Sequence, residues 1–141
     1  MAVQRKEGDM YKGGCLCDGI RFEISGGIRD IIFCHCSQCR KVQGSAYATN
    51  GVVDRGAFTI VKGPDLLAAY ESSPGKVKYF CSRCGSPIYS DNALQPEAVR
   101  IRLGTIESEI RERPKCHIFV ASKANWETIT DDLPQFDEFP T

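Results

Sequence analysis

Seven of the eight cysteines in this chain fall into three short clusters. Cys15 and Cys17 lie in "GGCLCDG", Cys34, Cys36 and Cys39 in "FCHCSQCRK", and Cys81 and Cys84 in "YFCSRCGSP". Residues two apart in an extended chain project to one side, which suits a chelate better than a strain-free disulfide. Thiolates are soft ligands that suit zinc, and structural zinc takes four of them while a catalytic zinc commonly keeps three protein ligands and an open position. Seven clustered cysteines therefore divide as four plus three. A disulfide scaffold is the competing reading, and the otherwise intracellular character of the chain weighs against it.

The two-cysteine clusters make the better closed site. "CSRCG" reads as a zinc-knuckle turn, with a glycine after the second cysteine, and it needs a second pair that "CLC" supplies. Cys15, Cys17, Cys81 and Cys84 would then tie the N-terminal strand to mid-chain, and metal binding there becomes folding free energy, of order 10 kcal/mol in small zinc modules. The triple Cys34, Cys36 and Cys39 chelates by itself. Its fourth position has three candidates: His35, Cys116, or a water or substrate. His35 points by alternation with Ile31 and Phe33, away from its cysteine neighbours, and reads as packed or hydrogen-bonded behind the site. Cys116 shares a face with Ile118 and Val120 and reads as a small hydrophobe. An open position implies chemistry or ligand binding. The alternatives are a second structural zinc and a redox-active or empty thiol cluster.

The elements that must position these groups read as short strands. "IRFEI" (20–24) alternates Ile20, Phe22 and Ile24 against Arg21 and Glu23. "VRIRL" (99–103) places Val99, Ile101 and Leu103 inward and Arg100 and Arg102 outward. "DIIFCHC", "FTIVKG", "LLAAY", "KVKYFC" and "CHIFVA" are further strand candidates. The stretch from Ser37 to Gly44 suits a helical turn, and "SKANWETI" another. The tail "LPQFDEFP" reads as irregular chain, packed over a sheet edge or frayed. Many short strands separated by turn residues indicate a mainly β fold of several small antiparallel sheets.

At 141 residues with zero formal net charge, the chain fits one domain and has no general electrostatic pull toward nucleic acid or an anionic membrane. "MAVQRKEGDMYKGG" has no apolar core of the kind a secretory signal carries, and no stretch approaches the roughly 20 apolar residues of a membrane helix. A reducing cytoplasmic setting is the expectation. Arg40 and Lys41 after Cys39 read as a solvated turn, or as cations that offset the negative charge of a three-thiolate zinc or hold a substrate carboxylate. No Ser–His–Asp order or paired-carboxylate signature stands out, so the metal is the expected centre of any chemistry.

"GGCLCDGIRFEI", "CHCSQCRKVQGSAYA", "YFCSRCGSPIYS", "LGTI" and "HIFVASKANWETITDDLPQF" together resemble the glutathione-dependent formaldehyde-activating enzyme family, which includes relatives of centromere protein V. The resemblance runs from about Lys12 to Phe136 of a chain taken as a single zinc-binding domain, residues 1–141. It implies a zinc-binding β-tent of twisted sheets and two Zn²⁺ ions, with Cys15, Cys17, Cys81 and Cys84 on the structural ion. Cys34, Cys36 and Cys39 would hold the catalytic one. It also implies glutathione as small-molecule thiol partner and a carbon–sulfur lyase-like activity, joining formaldehyde to glutathione as S-hydroxymethylglutathione. The competing expectation is a non-catalytic zinc module for protein binding or for redox or metal sensing.

Overall fold

The structure, a computed structural model, describes residues 10–140. Most of the polar N-terminal stretch, residues 1–9, lies outside the described residues. The strands are β1 (Met10–Gly14), β2 (Arg21–Ser25), β3 (Arg29–Cys34), β4 (Ala48–Asp54), β5 (Phe58–Lys62), β6 (Leu67–Ser73), β7 (Lys76–Cys81), β8 (Pro87–Asn92), β9 (Ala98–Arg102) and β10 (Cys116–Ile118), with one α-helix, α1 (Ser37–Gln43). The mainly β expectation holds. The described strands pair into a three-stranded sheet, β1-β2-β5, and a seven-stranded sheet, β10-β3-β4-β9-β8-β7-β6. Every pairing is antiparallel except that of β10 with β3.

Alternation sets which face of each strand is buried. Ile20, Phe22 and Ile24 around β2 pack with Tyr11 of β1 against Ile31, Val53, Val99 and Ile101 of the larger sheet. This apolar layer between the sheets drives their association, at roughly 25 cal/mol for each Å² removed from water. Gly51 belongs to the same layer. A β-carbon there would lie 2.3 Å from Ile28 Cγ2, so only glycine allows the loop before β3 to approach β4. Leu103 follows β9 in a short 3-10 turn and packs, partly buried, on this core.

The other face of the large sheet is not a solvent face. Register places Arg102 opposite Asn50, and Asn50 opposite Ile32. Lys78 stands opposite Ser90, and Ser90 opposite Arg100. Cys34 stands opposite Ala48 and Ile118 on that same face. The expected outward position of Arg102 is therefore corrected: it lies on the face away from the core but is only 4% exposed, because that face is folded into a cleft.

Helix α1 forms where expected, with Cys36 as its N-cap and Gly44 closing it through an N–H bond to the Arg40 carbonyl at 2.8 Å. "SKANWETI" (122–129) holds short turns and no α-helix: a 3-10 turn over Val120–Ser122 takes in its first residue, and Glu127 N bonds the Ala124 carbonyl at 3.2 Å in a further turn. Phe119 adopts a left-handed φ of 56° and ends β10, which takes Val120 off the face shared by Cys116 and Ile118. The tail packs over a sheet edge: His117 N bonds the Pro134 carbonyl at 2.9 Å, and Phe136 N the His117 carbonyl at 3.0 Å.

Candidate metal centres

The four sulfurs of Cys15, Cys17, Cys81 and Cys84 all lie within 4.8 Å of one another. The turn from β1 to β2 presents the first pair, and the end of β7 with its following turn presents the second. Gly85, at φ +82°, permits that turn, and its N–H closes on the Cys81 carbonyl at 2.8 Å. Cys17 Sγ is 3.5 Å from Cys15 Sγ and 3.8 Å from Cys81 Sγ. A tetrahedron with metal–sulfur bonds of about 2.3 Å has edges of about 3.8 Å, so the donor set fits zinc in spacing as well as in softness.

Hydrogen bonds to Cys17 and Cys84 favour their thiolates. The guanidinium of Arg83, 3.2 Å from Cys17 Sγ, is the main cause holding the Cys17 thiol below its ordinary value. Burial alone would raise Cys84, but hydrogen bonds from the Ser86 hydroxyl and backbone outweigh it and hold the thiol at about 5. The Ile20 amide donates to Cys15 Sγ at 3.2 Å, while burial, the larger influence, pushes that thiol up.

The second cluster belongs to a separate buried group, in which Cys34, Cys39, Cys116, Ala48 and Ile118 pack together. Cys34 ends β3, Cys36 caps α1 and Cys39 sits in its first turn, and their three sulfurs lie within 4.8 Å of one another. The Cys39 amide donates to Cys36 Sγ at 3.3 Å. Hydrogen bonds from the Cys34 and Cys39 thiols draw Cys36 far down toward the thiolate, and the bond to Cys36 pushes Cys34 up. Cys116 packs in the same buried group but is not among the sulfurs that converge, and burial, the leading cause, raises its thiol.

His35 and His117 occupy the opposite face of β3 and β10. His35 Nε2 and His117 Nδ1 are 2.8 Å apart, and His117 Nε2 is 2.9 Å from a carboxylate oxygen of Asp131. If Asp131 accepts from His117 Nε2–H, then His117 Nδ1 accepts from His35 Nε2–H. Both imidazoles are buried, and desolvation is the first cause pulling His35 down to about 4. His35 is thus hydrogen-bonded behind the site, as its alternation indicated.

The three-thiol cluster opens onto a cleft of about 850 Å³. Asn50, Lys78 and Arg102 line it, whereas Arg40 and Lys41 do not. Burial lowers both Arg102 and Lys78 from their ordinary values, while the charges of Cys34, Cys36 and Cys39 act in the opposite sense on each. A smaller cavity of about 370 Å³ shares Lys78 and Arg102 and adds Tyr70, Tyr79, Phe80 and Tyr89. Sequence reading missed Arg102, Lys78 and Asn50 as site residues. Alternation tells which face a side chain takes, but not whether that face meets bulk water or a cleft.

Fold and site together define a mainly β protein with one closed and one open thiol cluster able to hold metal ions. The family profile described as "Glutathione-dependent formaldehyde-activating enzyme" matches residues 10–122, and the chain belongs to that family. A protein of Halomonas elongata named "Putative glutathione-dependent formaldehyde-activating enzyme" is 30% identical over 129 residues, covering 85% of this chain and 81% of the relative. A Podospora anserina protein of the same name is 28% identical over 124 residues, 81% of this chain but only 57% of the relative's length. A crystal structure of a Rhodobacter sphaeroides protein shares the fold, with a TM-score of 0.60 at 24% identity over 73% of this chain and 97% of that one. No helix among the described residues is long and apolar enough to cross a membrane.

Proposed function

We propose that this protein is a zinc-dependent, carbon–sulfur lyase-like enzyme that acts on a small thiol/carbonyl adduct, with glutathione and formaldehyde joined as S-hydroxymethylglutathione. The observation that carries the reading is the three-thiol cluster at the wall of a cleft that also holds Arg102 and Lys78. Cys15, Cys17, Cys81 and Cys84 hold the structural ion in this reading, and Cys34, Cys36 and Cys39 the second. When bound there, zinc supplies a soft Lewis acid with room for one further donor. In the reaction the thiol sulfur bonds the carbonyl carbon and loses its proton, while the carbonyl oxygen takes the π pair and a proton. Three thiolates around a divalent cation leave a net negative charge, which the guanidinium of Arg102 and the ammonium of Lys78 offset across the cleft. Thiols clustered at metal-ligand spacing fit a reducing, cytoplasmic setting.

A non-catalytic zinc module would account for the closed cluster. It gives no role to three thiols beside an 850 Å³ cleft with cations in its lining. Calorimetric titration of zinc-loaded protein with glutathione separates the two readings, with Cys36→Ser as the control. Binding in the wild type and its loss in Cys36→Ser are expected, followed by acceleration of adduct formation in exchange spectroscopy of formaldehyde and glutathione. Absence of thiol binding in the wild type would remove the enzyme reading.

A further inference from the structure

Two of the cations that line the cleft have anionic partners. Arg29 pairs with Asp54 at 2.7 Å and Lys115 with Asp30 at 2.5 Å. Arg102 and Lys78 do not, and neither do Arg100 and Lys76: among the described residues none of these four has a carboxylate partner. Arg102 is 4% exposed and uses only Nη1, in two long bonds of 3.3 Å to Ser90 Oγ and the Arg100 carbonyl. A buried guanidinium left this sparsely bonded is costly, and a bidentate carboxylate is the partner that matches its fork geometry.

Asn50 presents the complementary deficit. It is 8% exposed, stands directly opposite Arg102 on the adjoining strand, and lines the same cleft. Its Oδ1 is buried without a hydrogen-bond donor. A buried amide oxygen of this kind lacks an N–H. One small ligand that carries a carboxylate beside an N–H would satisfy both residues at once.

We infer that Arg102 and Lys78 form a carboxylate subsite, with Asn50 Oδ1 accepting an adjacent N–H, so that the open cluster selects small acidic thiols of the acylated-cysteine type over neutral ones. The inference rests on the proposed thiol chemistry at Cys34, Cys36 and Cys39, and it assigns specificity to three residues outside the thiol cluster. A bare counterion role for Arg102 would leave Asn50 Oδ1 unexplained.

The test is calorimetry on the zinc-loaded full chain with N-acetylcysteine, its methyl ester and 3-mercaptopropionate. In the wild type N-acetylcysteine binds at least about tenfold more tightly than the neutral ester, the scale of a hydrogen-bonded ionic contact. Arg102→Gln brings that ratio close to one, the ratio being read within each variant so that any common change in thiol binding cancels. Lys78→Gln, at a half-buried position, lowers the ratio in protein whose fold and zinc content match the wild type. Asn50→Leu weakens N-acetylcysteine but not 3-mercaptopropionate, which has no N–H. A wild-type ratio near one, or an unaltered ratio in Lys78→Gln and Arg102→Gln, overturns the subsite. If no thiol binds, the proposed function fails separately. N-acetylglycine, which has no thiol, then decides the subsite: binding that Lys78→Gln weakens sustains it, and no binding overturns it.

Discussion

Asn50 and Arg102 face each other across the β4–β9 ladder, two residues along the sheet from the Cys34–Ala48 pair. Side chains directly opposite in such a ladder have β-carbons about 5 Å apart, so a charge placed at one is felt at the other. Asn50→Asp would give Arg102 an internal carboxylate that competes with any acidic ligand. The expected result is loss of N-acetylcysteine binding by about tenfold or more relative to that of its neutral ester. Calorimetry on the zinc-loaded variant checks it.

Metal analysis of the purified protein should give two zinc ions per chain, or one with a second position refilled by added zinc. Cys17 and Cys81 are separated by 64 residues, so a metal between them closes a long loop. By analogy with a disulfide, the associated chain-entropy contribution is about 4 kcal/mol. Cys81→Ser should lower the melting temperature by roughly 10 °C, the shift expected from such a loss in a chain of this size. Cys36→Ser should keep the melting temperature nearly unchanged and lose only the second ion. Equal unfolding in both variants would contradict the division into structural and open clusters.

Cys116→Ala should leave zinc content unchanged. The buried thiol contributes packing alone, and truncating it should cost about 1 kcal/mol. Plasma emission spectroscopy alongside thermal melting checks both parts, and loss of one zinc per chain would make Cys116 the fourth ligand.

The Asp131 carboxyl is held below the ordinary carboxylate range, first by its hydrogen bond with His117 and then by the Leu133 amide. A carboxyl depressed in the folded state contributes stability in full above its unfolded value, about 3.9, and loses it as pH falls through the depressed one. Asp131→Asn should therefore melt below the wild type at neutral pH, with the gap closing below about pH 4. Melting curves of both proteins across that range test the sign. A gap that widens on acidification would contradict it.

The cysteine clusters were legible because chelation requires local spacing, and sulfurs two or three residues apart announce themselves in one dimension. Ile20, Phe22 and Ile24 were legible because one side of β2 meets a continuous core. Strand β4 was not, since "ATNGVVD" breaks its apolar alternation with Asn50 and Gly51, each placed there for a long-range reason. Strand β8 begins at Pro87 and ends in polar residues that line the cleft, which hides it similarly. The parallel partnership of β10 with β3 joins residues more than 80 positions apart in numbering, as His35 and His117 show at a separation of 82. No local pattern carries that information.

Strand β10 is only three residues long, and the chain does not leave it uncovered. One side pairs with β3, and on the other the segment around Gln135 runs parallel to His117 and takes up its backbone groups. Without that closing segment, the β10 side of the seven-stranded sheet would present unpaired amides and carbonyls next to apolar Ile118 and Phe119, a template on which another chain can add. The segment from Pro134 to Phe136 thus covers an edge on which another chain could otherwise add. A truncation before Pro134 should reveal itself first as turbidity on concentration, before any change in the thiol clusters.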